Sequence, residues 1–157
     1  NPACLIISPF VFTEFLTFLC DHRLKHPNAN RSIQKIHSFL QRDDERYVGL
    51  ARDIAWDILG ICHQLSGNLG QALSAYEESL KHSNDDNLTK AVEERIKLTV
   101  NEMLLRHALI WGTGSRSSLV MLKYNIQSKF NLKRHWLPLL QTTFFVPPPP
   151  LHLGKQF

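Results

Sequence analysis

Cysteine is scarce in this chain. Cys4, Cys20 and Cys62 are the only three in 157 residues, and no two stand in a C-x-x-C pair. An odd count at wide spacing encodes no disulfide framework and points to a reducing compartment, cytoplasm or nucleus. The short signatures of chemistry are missing too. There is no G-x-x-x-x-G-K-[ST], no G-x-S-x-G and no H-E-x-x-H, the patterns that cradle phosphate, expose a nucleophilic serine or bind zinc on a helix. The eight histidines are scattered without the spacing of zinc ligands. No metal, cofactor or small-molecule substrate is expected, and no catalytic activity. Nor is there a long uninterrupted apolar run. Ala3 to Cys20 is rich in Phe, Leu and Ile, but it contains Pro9 and Glu14 and has no basic leader. A buried helix is expected there, not a signal peptide or a membrane span. The sequons Asn30-Arg31-Ser32 and Asn87-Leu88-Thr89 are then accidental. The chain opens on Asn1-Pro2 instead of Met, which reads as a piece of a longer protein.

Acidic residues are missing from one region entirely. Residues 1–102 hold 11 Lys/Arg against 14 Asp/Glu, whereas residues 103–157 hold seven Lys/Arg and no acid. The chain therefore divides by charge into a mildly acidic body and a basic tail. Apolar content of 43% and charged content of 20% are those of a globular fold.

The first 111 residues read as helices. Ser8-Pro9 is a helix start, with a capping hydroxyl before a proline at the first helical position. The first helix is expected over residues 9–24, with Phe12, Phe15, Leu16 and Leu19 as its apolar side. Residues 25–31, with Pro27 and two Asn, form a loop. Ser32 caps a second helix over 33–41 whose contacts are Ile36, Phe39 and Leu40. Asp43 and Asp44 cap a third that carries Tyr47, Leu50 and Ile54 and runs to Leu65. A fourth covers Leu69 to His82. Asp86 or Asn87 caps a fifth over 88–110, with Val92, Ile96, Met103 and Leu104 on one face.

The window Asp53 to Asp86 carries the most information. Trp56, Leu59 and His63 lie three or four residues apart and share a helix face. Gly60 leaves a hole where a second helix can approach. Gly67 ends the helix, because a residue without Cβ takes the left-handed conformation cheaply. Leu69, Ala72, Leu73, Tyr76 and Leu80 form a second stripe, small at Ala72 where the helices cross and large at Tyr76 where the space between them needs filling. Cys62 is expected to be a small buried apolar residue. Lys81 and His82 sit at the negative end of the helix dipole, and Ser83-Asn84-Asp85-Asp86 is turn chemistry.

Trp56, Leu59, Gly60, Gly67, Ala72, Leu73, Tyr76 and Leu80 resemble the tetratricopeptide repeat (TPR), with its 34-residue period and W-x2-L-G core. The resemblance covers this one repeat. Three positions depart from it: His63, where family members carry an aromatic; Ser79, where they carry Ala; and Asn84, near their Pro. The resemblance implies an all-α protein of antiparallel helix hairpins, an α-solenoid fragment whose groove binds other proteins or peptides. It places the groove residues at Asp57, Ile61 and Gln64. One subclass of the family holds peptide carboxylates with Lys and Asn on these helices. Asp57 and Ile61 stand at those positions here, so a basic or neutral peptide is the expected ligand if Asp57 faces the groove. A scaffold or adaptor subunit of a multiprotein complex is the function implied.

Two domains are expected: a helical TPR-like body over 1–111 and a basic, partly disordered tail over 112–157. The junction Trp111 to Ser118 reads WGTGSRSS, a flexible joint. A weak helix over 119–130 and a short helix or turn over 131–141 follow. Lys123, Lys129, Lys133 and Arg134 alternate with Tyr124, Phe130 and Trp136, a mixture that tracks phosphates and stacks bases. The same mixture suits an anionic membrane surface or an acidic protein surface, such as those of Asp43, Asp44, Glu45, Glu77, Glu78, Glu93 and Glu94. Nucleic-acid association through the four basic residues is the alternative function. Pro147 to Pro150 holds an extended conformation, and Phe144 to Leu151 resembles the aromatic-plus-tetraproline ligands of EVH1 domains.

Overall fold

The computed structural model describes residues 7–42 and 51–111, all within the compact unit Asn1–Thr113. The described residues are all-helical, with five helices: α1 (Pro9–Arg23), α2 (Ala29–Leu40), α3 (Arg52–Leu65), α4 (Leu69–His82) and α5 (Asp86–Trp111). No strand occurs among them. Residues 112–157, and with them the tail's basic, helical and proline-rich features, lie outside the described residues, as do Asp43, Asp44, Tyr47 and Leu50.

Consecutive helices pack against each other, and α3 also packs on α1 and α5. Side-chain contacts give the directions. Lys35 Nζ donates to Glu14 Oε1 at 2.7 Å, and Phe10 stacks on Phe39 at 5.0 Å, so α1 and α2 are antiparallel. Arg52 Nη2 donates to Leu40 O, and His37 meets Trp56 edge-on, so α2 and α3 are antiparallel. Ser79 Oγ donates to Asp53 O and Tyr76 Oη to Gln64 Oε1, each at 2.7 Å, which makes α3 and α4 antiparallel as well. Asp57 pairs with Arg95 and Gly67 O accepts from Arg106, so α3 and α5 run parallel.

The α3–α4 turn follows from its sequence. Gly67 sits at φ +78°. Its N–H donates to Gln64 O, and the N–H of Asn68 donates to His63 O, both at 2.9 Å. These paired bonds satisfy two carbonyls that a helix end leaves orphaned. The same pair of bonds ends α1, with Lys25 in glycine's role at φ +55°. At the start of α5 the cap is Asp85, whose Oδ1 accepts the backbone N–H of Asn87 at 2.7 Å and of Leu88 at 3.1 Å. The expected Asp86 or Asn87 is already inside the helix.

The core is made of Val11, Phe18, Ile33, Ile36, Leu40, Ala55, Ile58, Leu59, Cys62 and Ala75. Leu69, Ala72, Leu73 and Tyr76 are buried on α4, and Val92, Ile96, Val100 and Leu104 on α5. Trp56 is half-buried against the core. Three sequence expectations are corrected. On α1 the buried side is Val11, Glu14 and Phe18, while Phe12 and Leu16 are exposed; a helix apolar on every side gives periodicity nothing to choose between. α2 begins at Ala29, and Ser32 is a buried interior residue instead of a cap. α3 begins at Arg52, with Ala51 at φ −156° outside the helix, so it does not run continuously from the caps expected at 43–44.

Candidate partner-binding groove

Gly60 and Tyr76 set how closely α3 and α4 approach. A Cβ on Gly60 would lie 2.4 Å and 2.5 Å from Tyr76 ring carbons, so the ring occupies the space the glycine leaves. With the ring fixed there, the hydroxyl reaches across to Gln64 Oε1 at 2.7 Å. That bond occupies the carbonyl end of Gln64, and the amide nitrogen is the donor it has left to offer. Tyr76 is fully buried, and burial pushes its phenol pKa up. Ser79, one of the departures from the repeat pattern, is also fully buried and gives its hydroxyl to Asp53 O. A serine is tolerated there because this carbonyl of the first turn of α3 accepts its proton.

On the other side of α3, a cleft of about 430 Å³ opens toward α5. Ile61, Gln64, Leu65, Arg95, Glu102 and Arg106 line it. Of the three residues expected to bind a partner, Ile61 and Gln64 line this cleft. Asp57 does not. Its side chain is 7% exposed and accepts from Arg95 Nη1 at 3.0 Å and 3.1 Å. Burial pushes its carboxyl up to about 6 against the pull of Arg95. The charge on which the choice of a basic peptide depended is therefore turned inward and neutralised.

Arg95 and Arg106 are the groups that sequence reasoning missed. Arg106 Nη2 donates to Glu102 at 2.7 Å, and its Nη1 lies 3.4 Å from Gly67 O. The same nitrogen would lie 3.2 Å from a Cβ on Gly67, so the glycine serves both the left-handed turn and the passage of the guanidinium. Two signals were present. A carboxylate at Asp57, one turn before the small Gly60, sits on a packed face and requires a cation. Glu102 and Arg106 are an acid-before-base pair at i, i+4. What no local pattern supplies is the 38-residue separation between Asp57 and Arg95.

The cleft thus offers two arginines already tied to one carboxylate each, the Gln64 amide, and the apolar Ile61 and Leu65. Such a lining can grip an extended segment by its backbone carbonyls and by an apolar side chain. It holds no activated nucleophile. Cys62 is fully buried next to it, and burial pushes its thiol up to about 12, which keeps it protonated. No group of three or more His, Cys, Asp or Glu among the described residues is placed to hold a metal ion. Lys123, Lys129, Lys133 and Arg134 lie outside the described residues. No helix among those residues is long and apolar enough to cross a membrane. No family model matches the chain, and no curated protein or solved structure matches it significantly.

Proposed function

We propose that the chain is a protein-interaction scaffold or adaptor of the TPR type, which binds partner segments in the cleft between α3 and α5 and performs no chemistry itself. One observation carries the reading. The cleft lies between two parallel helices whose starts, Arg52 and Asp86, are 34 positions apart, the period of that repeat. The glycine-under-tyrosine contact of Gly60 and Tyr76 supports it, as does the left-handed Gly67 between the two helices. The binding residues are Ile61 and Gln64, with Arg95 and Arg106 beside them; Asp57 holds Arg95 in position. The cytoplasm or nucleus is the proposed compartment, from the scarce and unpaired cysteines.

Hydrogen exchange on the full chain, with and without a partner captured from nuclease-treated lysate, tests this. Partner-induced protection at the cleft residues of α3 and α5 is the expected result. Protection confined to residues 123–134 would overturn it in favour of the nucleic-acid alternative, which rests on the basic tail.

A further inference from the structure

We infer that the segment held in the α3–α5 cleft is an extended, acidic one, with two carboxylate side chains four positions apart and an apolar side chain midway between them. The inference rests on the reading of the cleft as a partner site and names the chemistry of its occupant. Hydrogen bonding sets the charge. The acceptors at the cleft are largely occupied from within the protein. Both oxygens of Asp57 take Arg95 Nη1, at 3.0 Å and 3.1 Å. Gln64 Oε1 takes Tyr76 Oη, and Glu102 Oε1 takes Arg106 Nη2, each at 2.7 Å. Donors are left over. Of the N–H groups of a guanidinium, Arg95 engages only those of Nη1, and Arg106 those of Nη1 and Nη2, among the described residues. The amide nitrogen of Gln64 is unengaged there too. Arg95 is one-third exposed and Arg106 half exposed, so their remaining donors are open to a ligand. The lining holds two cations, Arg95 and Arg106, against one anion, Glu102. A surplus of donors with a positive balance is complementary to an anionic, acceptor-rich occupant.

Position sets the spacing. Arg95 and Arg106 stand about three turns apart on α5, roughly 16 Å along its axis. Their contacts on α3 keep them apart, since Arg95 is held at Asp57 and Arg106 at Gly67. One anion cannot reach both. Between them along α3 lie Ile61, Gln64 and Leu65. An extended chain advances about 3.3 Å per residue and returns to the same face every second residue. Carboxylates four positions apart therefore share a face about 13 Å apart, and the long arginine side chains close the difference. The residue midway shares that face and meets Ile61 and Leu65, while the Gln64 amide takes a backbone carbonyl. A helical segment does not fit. Its carbonyls are engaged within the helix, and side chains four apart lie only about 6 Å from each other. Arginine at 61 and 64 would fill the middle of the cleft and block such a segment whatever the charge at its ends.

Binding of peptide pools to the full chain tests this. The peptides are capped at both ends, so that only side-chain charge is read, and randomised outside a fixed core. The core is Glu-x-Leu-x-Glu, the same with Gln or with Lys for both Glu, or Leu beside two adjacent Glu. The first pool should bind, and the other three roughly tenfold or more weakly, the loss expected for charge-assisted hydrogen bonds. Glu102→Gln, which removes the one anion of the lining, should tighten the first pool by about threefold. Arg106→Gln should weaken it by about tenfold. Asp57→Asn with Arg95→Gln should weaken it likewise, and removes both charges together so that neither is left buried alone. Arg106 is half exposed, so its variant decides the outcome if the double variant loses its helical circular dichroism. Equal binding of the Glu and Gln pools, or preference for Lys, would overturn the acidic pattern. If that binding is lost in the chain with Ile61→Arg and Gln64→Arg, the cleft stands as a partner site. Binding unchanged in that variant, or no binding of any pool, would overturn both.

Discussion

Tyr76 closes on Gly60 at a distance that leaves no room for a Cβ; a hole at Gly60 and a filling residue at Tyr76 were each legible, but not that the one fills the other. Gly60→Ala should cost about 1–3 kcal/mol, the usual penalty of overpacking. Gly60→Ala with Tyr76→Leu should recover part of that loss, which a double-mutant cycle by urea unfolding would register as coupling. Asp57 was legible as a position but not as an environment, because its partner lies 38 residues away on α5. Its folded pKa of about 6 stands above the ordinary 3.8, so the folded state holds the proton more tightly. Its contribution to stability is then present in full below 3.8 and is lost as pH rises through about 6. The stability of the native chain minus that of Asp57→Asn should accordingly fall between about pH 4 and pH 6 and stay level above it. A difference that rises over that interval would contradict the account. Arg95→Met should cost roughly 2–3 kcal/mol at neutral pH by leaving the carboxylate buried and unpaired. That is below the range for fully buried pairs because Arg95 is one-third exposed.

The helices differ in how much of themselves they show in sequence. α4 was readable to its limits, since Asn68 and Gly67 precede it and turn residues follow it. α5 was readable in its inner face but not in its cap, because four adjacent residues, Ser83 to Asp86, can all cap a helix and only the folded geometry selects Asp85. α1 was half misread on its burial: Phe15 and Leu19 pack against the core as expected, Phe12 and Leu16 do not, because Phe, Leu and Val occupy every side and no period marks which one packs. Its end was legible to within a residue from Pro27 and the asparagines of the following loop, although the left-handed Lys25 carries no signal of that conformation. Replacing it should help. Lys25→Gly should stabilise the chain by about 0.5–1 kcal/mol by relieving a non-glycine left-handed residue. Gly67→Ala, the reverse change at the end of α3, should cost about 1–2 kcal/mol. Thermal unfolding of the two variants side by side checks both signs.

At the level of the molecule, the order of the five helices among the described residues brings α3 and α5 side by side, and the cleft between them is a product of that order. The α3–α4 hairpin was legible through Gly60, Gly67 and Tyr76, and Ile61 and Gln64 were singled out only by way of the resemblance. Arg95 and Arg106 stayed hidden, because α5 lacks the large-and-small pattern that marks the α3–α4 hairpin and its charged residues read as an ordinary solvated face. Binding in the cleft and binding by the basic tail make opposite demands on the same chain. The measurement that separates them is the affinity of one captured, nuclease-treated partner for three forms of the full chain: native, Ile61→Arg with Gln64→Arg, and Lys123, Lys129, Lys133 and Arg134 all changed to Glu. The account predicts at least about a tenfold loss, 1.4 kcal/mol, in the cleft variant, with binding kept in the tail variant. Binding kept in the cleft variant and lost in the tail variant would contradict it.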